Sequence, residues 1–191
     1  MVGESLTILS SLHKGTKRDY LGRMNDDKVA CMKIARQYDE QYWDGDRRYG
    51  YGGYRYIPKR WEPVAKQLIE RYNLKNTSKI LDVGCGKAYL LFEIRKLLPG
   101  CTVMGVDCSQ YAIENAKEEM RDSLIVHDAR NPLNYADNEF DLVISIMALH
   151  NLKIFDLKTA VQEIERVGKN KFIAVESYRN EEELFNLQCW A

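Results

Sequence analysis

Residues 80–89 read Ile-Leu-Asp-Val-Gly-Cys-Gly-Lys-Ala-Tyr, and Asp82, Gly84 and Gly86 stand there at a spacing that can do chemistry. The apolar run 80–83 suits a buried parallel strand covered on both faces. Gly84 and Gly86 let the backbone turn sharply and let a ligand approach it closely. A helix over about residues 89–98 points its N-terminus at that turn, and such a βα turn is where open α/β sheets bind nucleotides. A dinucleotide fingerprint would place its third glycine or alanine at position 89, where the bulky Tyr89 stands. A phosphate-binding loop is excluded, because no Gly-Lys-Ser/Thr closes the turn. The Asp82 carboxylate is a poor neighbour for pyrophosphate and a good partner for a cationic ligand.

These residues need strands and helices to hold them. Residues 102–106 form a second short apolar strand, closed by Asp107 about 20 residues after the turn, where an acidic side chain grips ribose hydroxyls. Residues 123–126 read as a third strand ending at His127-Asp128-Ala129, residues 140–146 as a fourth and residues 172–175 as a fifth. Helical stretches over 109–121 and 155–167 separate them, the second with Leu157, Ala160, Val161 and Ile164 on one face. The alternation predicts an α/β fold built on a doubly wound, mostly parallel sheet.

The order of these pieces resembles that of the class I S-adenosylmethionine-dependent methyltransferases. The resemblance rests on Leu-Asp-Val-Gly-Cys-Gly at 81–86, Val106-Asp107, Asp128-Ala129, the approach to strand four at 138–143 and Val175-Glu176-Ser177. Ala88 departs from the family, where many members carry glycine. The resemblance implies a Rossmann-like sheet and S-adenosyl-L-methionine as cofactor. It assigns Asp82 to the methionine ammonium and the backbone of Gly84, Cys85 and Gly86 to close approach. Asp107, with Cys108 beside it, would take the ribose hydroxyls. Asp128 would accept from the adenine amino group with Ala129 against the ring, and Ser145 would stand at the end of strand four. The plainer alternative for each aspartate is a helix cap or a turn residue.

The family's sheet has seven strands, the last two an antiparallel pair after strand five. Here a helix begins at Asn180, with Glu183 placed as in a capping box, and the sequence ends at Trp190-Ala191. The expected sheet is therefore short of its last two strands, either through truncation or as a five-strand form. That would expose an edge and apolar surface at Leu184, Leu187 and Trp190, which a homodimer could cover. The expected organisation is an N-terminal tail over 1–24, a helix plus lid segment over 25–62 and the α/β domain over 63–191.

The region before the turn is unusual. Residues 25–42 read as an amphipathic helix capped by Asn25, with Asp26 and Asp27 in its first turn. Residues 42–56 then hold five tyrosines, four glycines and three arginines. They form no periodic pattern and read as a lid whose aromatic faces cover a sulfonium, each good contact contributing about 0.5–2 kcal/mol. Tyr51, Tyr54 and Arg55 are its candidate contact residues. A flexible linker is the alternative, and stacking on RNA bases a further one, weakened by Asp44 and Asp46. The run also resembles that of a subgroup of small bacterial methyltransferases, some associated with sugar or surface-polysaccharide biosynthesis.

Methyl transfer is an in-line displacement, so much of its catalysis is positioning, yet a hydroxyl or ammonium acceptor must still lose a proton. His150, after strand four, is the candidate general base because a histidine changes charge near neutral pH. Glu176 and Tyr178, after strand five, are candidates to bind or deprotonate the acceptor. The Asn/Asp-Pro-Pro-Tyr/Phe motif of many amino-group methyltransferases of nucleic acids and proteins is missing at 145–152. Positive and negative side chains balance at 28 each, which argues against a nucleic-acid partner. Five cysteines without a C-x-x-C pair point away from metal and disulfides and towards a reducing cytoplasm. Residues 6–12 are too short and polar for a signal or membrane segment. The expectation is a methyltransferase of a small-molecule hydroxyl or amine acceptor, with a sugar derivative as one candidate. The alternative is a methyltransferase-like module that binds cofactor or partner without turnover.

Overall fold

The computed structural model of the 191-residue chain describes residues 6–9, 12 and 19–190, the Trp190 side chain excepted. Five strands form one sheet among these residues: β1 (Lys79–Val83), β2 (Thr102–Asp107), β3 (Leu124–Val126), β4 (Leu142–Ile146) and β5 (Lys171–Ala174). Their order is β3-β2-β1-β4-β5, and every pairing is parallel. The chain steps outward from β1 to β3, then returns to lay β4 against the other side of β1. Asp82 is thereby flanked by Gly105 of β2 and Ile144 of β4. That reversal of direction opens a crevice at the carboxyl ends of β1 and β4, where doubly wound sheets take their ligands.

Helices cover both faces, which is why β1 and β4 are almost wholly apolar. Strand residues alternate between the faces. Ile80, Leu142 and Ile144 pack with Val64, Leu68, Leu91 and Ile94 of helices α4 (Glu62–Arg71) and α5 (Tyr89–Leu97). Leu81, Val83 and Val143 pack with Phe140 and with Ile164 and Val167 of α7 (Ile154–Val167). Each fully buried Leu or Ile there contributes about 1.5–3 kcal/mol. Ile8, expected in a tail, is buried in the first of these clusters.

After a first helix, α1 (Tyr20–Asn25), the single helix read over 25–42 is two helices instead: α2 (Lys28–Ala35) and α3 (Glu40–Trp43). Aspartates break it. Asp19, Asp27 and Asp39 each accept a hydrogen bond from the backbone of the helix that follows, and Asp27 and Tyr38 adopt left-handed backbone angles. Asn25 closes α1 rather than capping a helix, so α1 crosses the expected boundary at 24/25. The helix read over 109–121 stops after α6 (Gln110–Glu114) and resumes as a 3-10 turn, Glu118–Ser123. Asn115 ends it, its amide bonding the Tyr111 carbonyl at 2.9 Å.

Past β5, α8 (Glu181–Trp190) opens with Asn180 Oδ1 accepting from the Glu183 backbone N–H at 2.9 Å. The reciprocal bond goes one residue further back than in a capping box, from the Arg179 N–H to Glu183 Oε2 at 2.8 Å. Helix α8 packs on α1, which leaves Leu184 and Leu187 half-buried rather than exposed. The Trp190 side chain lies outside the described residues. No helix among the described residues is long and apolar enough to cross a membrane.

Candidate functional site

Asp82, one residue before the end of β1, is 5 % exposed, and its Oδ1 has no hydrogen-bond partner. An unpaired buried carboxylate is costly as an anion. Burial, and next the charge of Asp107, push its pKa up to about 8. The turn that follows holds Gly84 at φ +84° and Gly86 at φ +53°. A Cβ at Gly84 would stand 2.2 Å from the Ala148 methyl, and one at Gly86 would stand 2.7 Å from the Trp43 ring. The close approaches the glycines permit are thus made here by two side chains of the protein itself. Cys85 turns its sulfur towards Gly105 in the sheet interior and to the Gly86 carbonyl at 3.6 Å, and burial drives its thiol pKa well up. Ala88, at φ 57°, caps α5 in the left-handed region that glycine occupies freely, which accounts for the family's glycine there.

β2 delivers Asp107. Its Oδ2 accepts from the Gly86 N–H and its Oδ1 from the Ser109 N–H, each at 2.8 Å. Burial raises its pKa, and these two bonds oppose the rise. Each carboxylate oxygen keeps acceptor capacity for a hydroxyl. Cys108 is exposed beside it, its thiol raised to about 11 by local desolvation and by the charges of Asp107 and Asp128. After β3, Asp128 is engaged by Arg130, whose Nε lies 2.8 Å from Asp128 Oδ2, and this bond holds the carboxyl below its ordinary range. Ala129 is half-buried, packed at the edge of the second core.

β4 supplies the opposite wall. Ser145 is fully buried, and its hydroxyl donates to the Val83 carbonyl at 2.8 Å, tying the two strand ends together. Met147, at φ 56°, swings the chain so that Ala148 meets Gly84. His150 then lies exposed on the short turn Leu149–Asn151, with Asn151 Nδ2 3.5 Å from its Nε2. Past β5, Glu176 is half-buried and Tyr178 is exposed, while Arg179 pairs with Glu183 rather than with either of them.

The tyrosine- and glycine-rich segment packs against the turn. Trp43 is buried, with its indole N–H 2.9 Å from Ser109 Oγ and its ring 5.3 Å from that of Tyr51, nearly parallel. Tyr51 meets Tyr54, and Tyr54 stacks on Tyr89 at 5.2 Å. Arg55 is exposed. Asp44 accepts from Lys87 Nζ at 2.6 Å, from the Tyr111 hydroxyl at 2.9 Å and from the Tyr54 N–H at 3.0 Å. Burial acts to raise the Asp44 pKa, but these bonds outweigh it and hold the carboxyl low. Trp43, Asp44, Lys87, Tyr111 and Ala148 were not singled out by sequence reasoning. Asp44 had served only as a charge diluting the arginines, and Lys87 only as part of a failed phosphate-loop test. Among the described residues no cluster of three or more His, Cys, Asp or Glu could hold a metal ion.

Residues 74–190 match the family described as "Methyltransferase domain". A demethylmenaquinone methyltransferase of Staphylococcus saprophyticus is 36% identical over 117 residues, which are 58% of this chain and 47% of that protein. The mitochondrial arginine-hydroxylase NDUFAF5 of Mus musculus is 28% identical over 130 residues, 67% of this chain and 37% of that protein. The chain thus spans less than half the length of these curated relatives. A SAM-dependent methyltransferase structure from Aquifex aeolicus superposes with a TM-score of 0.50 at 20% identity, covering 70% of this chain and 82% of that one, and shares its fold.

Proposed function

The chain belongs to the class I S-adenosylmethionine-dependent methyltransferases, and from that membership we propose that it methylates a small molecule at a hydroxyl or amine, a sugar derivative being one candidate. The observation that carries this reading is Asp82: a buried carboxylate, its Oδ1 without a hydrogen-bond partner, near the carboxyl end of β1 where β1 and β4 lie side by side. Such a group is satisfied by a buried cation, and the amino-acid end of S-adenosylmethionine presents an ammonium.

The residues present fit this cofactor. Asp82 would pair with the ammonium, and the backbone of Gly84, Cys85 and Gly86 would line its approach. Asp107 would accept from the ribose hydroxyls with the oxygen lone pairs its two backbone bonds leave free. Asp128 would accept from the adenine amino group only beside its Arg130 bond, with Cys108 and Ala129 flanking the ring and Ser145 fixing the floor. When bound, S-adenosylmethionine supplies an electrophilic methyl group on a sulfonium. His150 takes the acceptor's proton, and Glu176 and Tyr178 hold the acceptor from the neighbouring strand end. Tyr51, Tyr54 and Arg55 cover the site as a lid, which excludes water. The free cysteines among the described residues accord with a cytoplasmic setting.

A binding module without turnover is the second reading, and the setting of His150 favours it. This ring is exposed and its contact is an amide 3.5 Å away, not the carboxylate that orients many catalytic histidines. Transfer of label from methyl-labelled S-adenosylmethionine to a panel of amines, alcohols and sugar derivatives separates the two. Labelled product supports the enzyme. Tight binding with no label transferred to any acceptor class would leave the module.

A further inference from the structure

The segment between α3 and α4 is pinned at two places to the stretch that runs from the glycine turn through α5. At one end Lys87, 3 % exposed, places its ammonium 2.6 Å from Asp44. At the other, the Tyr56 hydroxyl donates to the buried carboxylate of Glu93, which Lys96 also reaches at 3.0 Å. Lys87 and Glu93 both belong to the stretch from the turn through α5. Between the anchors the Tyr51 N–H bonds the Tyr42 carbonyl and the Gly53 and Tyr54 N–H groups bond the Trp43 carbonyl, while Arg48 pairs with Asp26 and the Tyr89 hydroxyl donates to the Tyr54 carbonyl at 3.1 Å. Gly52 and Gly53 sit at φ +67° and +104°, and a Cβ on Gly53 would meet nothing within 4 Å. The span is therefore jointed in its middle, fixed at its ends and laid beside the Trp43 ring that covers Gly86.

We propose that Asp44 and Lys87 form the latch of a strap over residues 44–56, and that release of this latch is the step by which ligand enters and leaves the glycine turn. The inference rests on the reading of that turn as the cofactor site. Asp44 acts as a positioning residue. It gathers one charged and two neutral donors from three different parts of the chain, so its loss loosens the strap's hold on the turn, on α6 and on its own far side together. An ammonium left in the interior without its carboxylate draws water in, and it does so by lifting the strap rather than by unfolding the sheet.

The test is amide hydrogen exchange on the ligand-free chain, joined to stopped-flow release of S-adenosylhomocysteine. Asp44→Asn should speed exchange at Tyr51, Gly53 and Tyr54 by about tenfold or more, with the β1 and β4 amides unchanged. Ligand release should speed up by a similar factor. Lys87→Met added to Asp44→Asn should slow both rates part of the way back towards wild type, because it removes the stranded ammonium while the latch stays absent. Should Asp44→Asn fail to fold, Tyr111→Phe keeps both charges and should still give a smaller acceleration confined to the strap. Unchanged exchange, or faster exchange throughout the sheet, overturns the latch. Exchange that quickens while ligand release stays constant keeps the latch and overturns its role as a gate. A wild-type chain that does not bind S-adenosylhomocysteine overturns the cofactor reading and the gate with it, and exchange still decides the latch.

Discussion

Asp82 and Asp107 are two buried carboxylates on neighbouring strands, and burial, with the charge of Asp107 second, favours the protonated form of Asp82. An acid whose folded pKa is raised holds its proton where the unfolded chain has lost it. Between the unfolded value of about 3.9 and the folded value of about 8, rising pH therefore removes stability. A cationic ligand reverses the preference by selecting the anion. Binding of S-adenosylhomocysteine below the Asp82 pKa should then release a proton to the buffer. Calorimetry in buffers of different ionisation enthalpy reads that release directly. Asp82→Asn should abolish it and weaken binding about tenfold or more; an unchanged proton count in the variant would remove Asp82 from the site. His150→Ala should behave oppositely, sparing ligand affinity while lowering turnover by about 100-fold or more. Turnover equal to the wild type would discard the histidine as base. The position of Asp82 could be read from the sequence because a lone acid in an apolar run is costly to bury unless a cation meets it. The engagement of Asp128 by Arg130 could not, since two residues that close also make an ordinary turn.

At the scale of elements, the ends of β1 and β4 are joined by two contacts that fix the crevice: the Ser145 hydroxyl on the Val83 carbonyl, and the Ala148 methyl on Gly84. Gly84→Ala forces a methyl within 2.2 Å of Ala148 at a backbone angle L-residues avoid. It should destabilise the chain by about 2–4 kcal/mol in a denaturant titration. Ala148→Gly in the same chain should recover the steric part and leave the backbone part; no recovery would mean the clash is relieved elsewhere. The strands themselves were legible because runs such as 80–83 and 142–146 are apolar on both faces, a pattern only buried parallel strands require. The helix over 25–42 misled for a local reason. Its apolar spacing continues across Asp27 and Asp39, but those side chains bond the backbone and restart the helix each time. Likewise the strap's composition showed that residues 44–56 would be irregular, while the partner of Asp44 lay 43 positions further on and left no local trace.

For the whole molecule, five parallel strands with helices on both faces carry the switch point and every proposed cofactor contact, and α8 folds back on α1 rather than standing free. The central claim is that this assembly holds S-adenosylmethionine at the carboxyl ends of β1, β2 and β3. The direct measurement is a calorimetric titration of the wild type and of Asp107→Ala with S-adenosylmethionine and S-adenosylhomocysteine. The expected result is one site per chain with a Kd of about micromolar order for both ligands, weakened at least about tenfold in Asp107→Ala. A folded wild-type chain that binds neither ligand, or an Asp107→Ala variant that binds as well as the wild type, would contradict it.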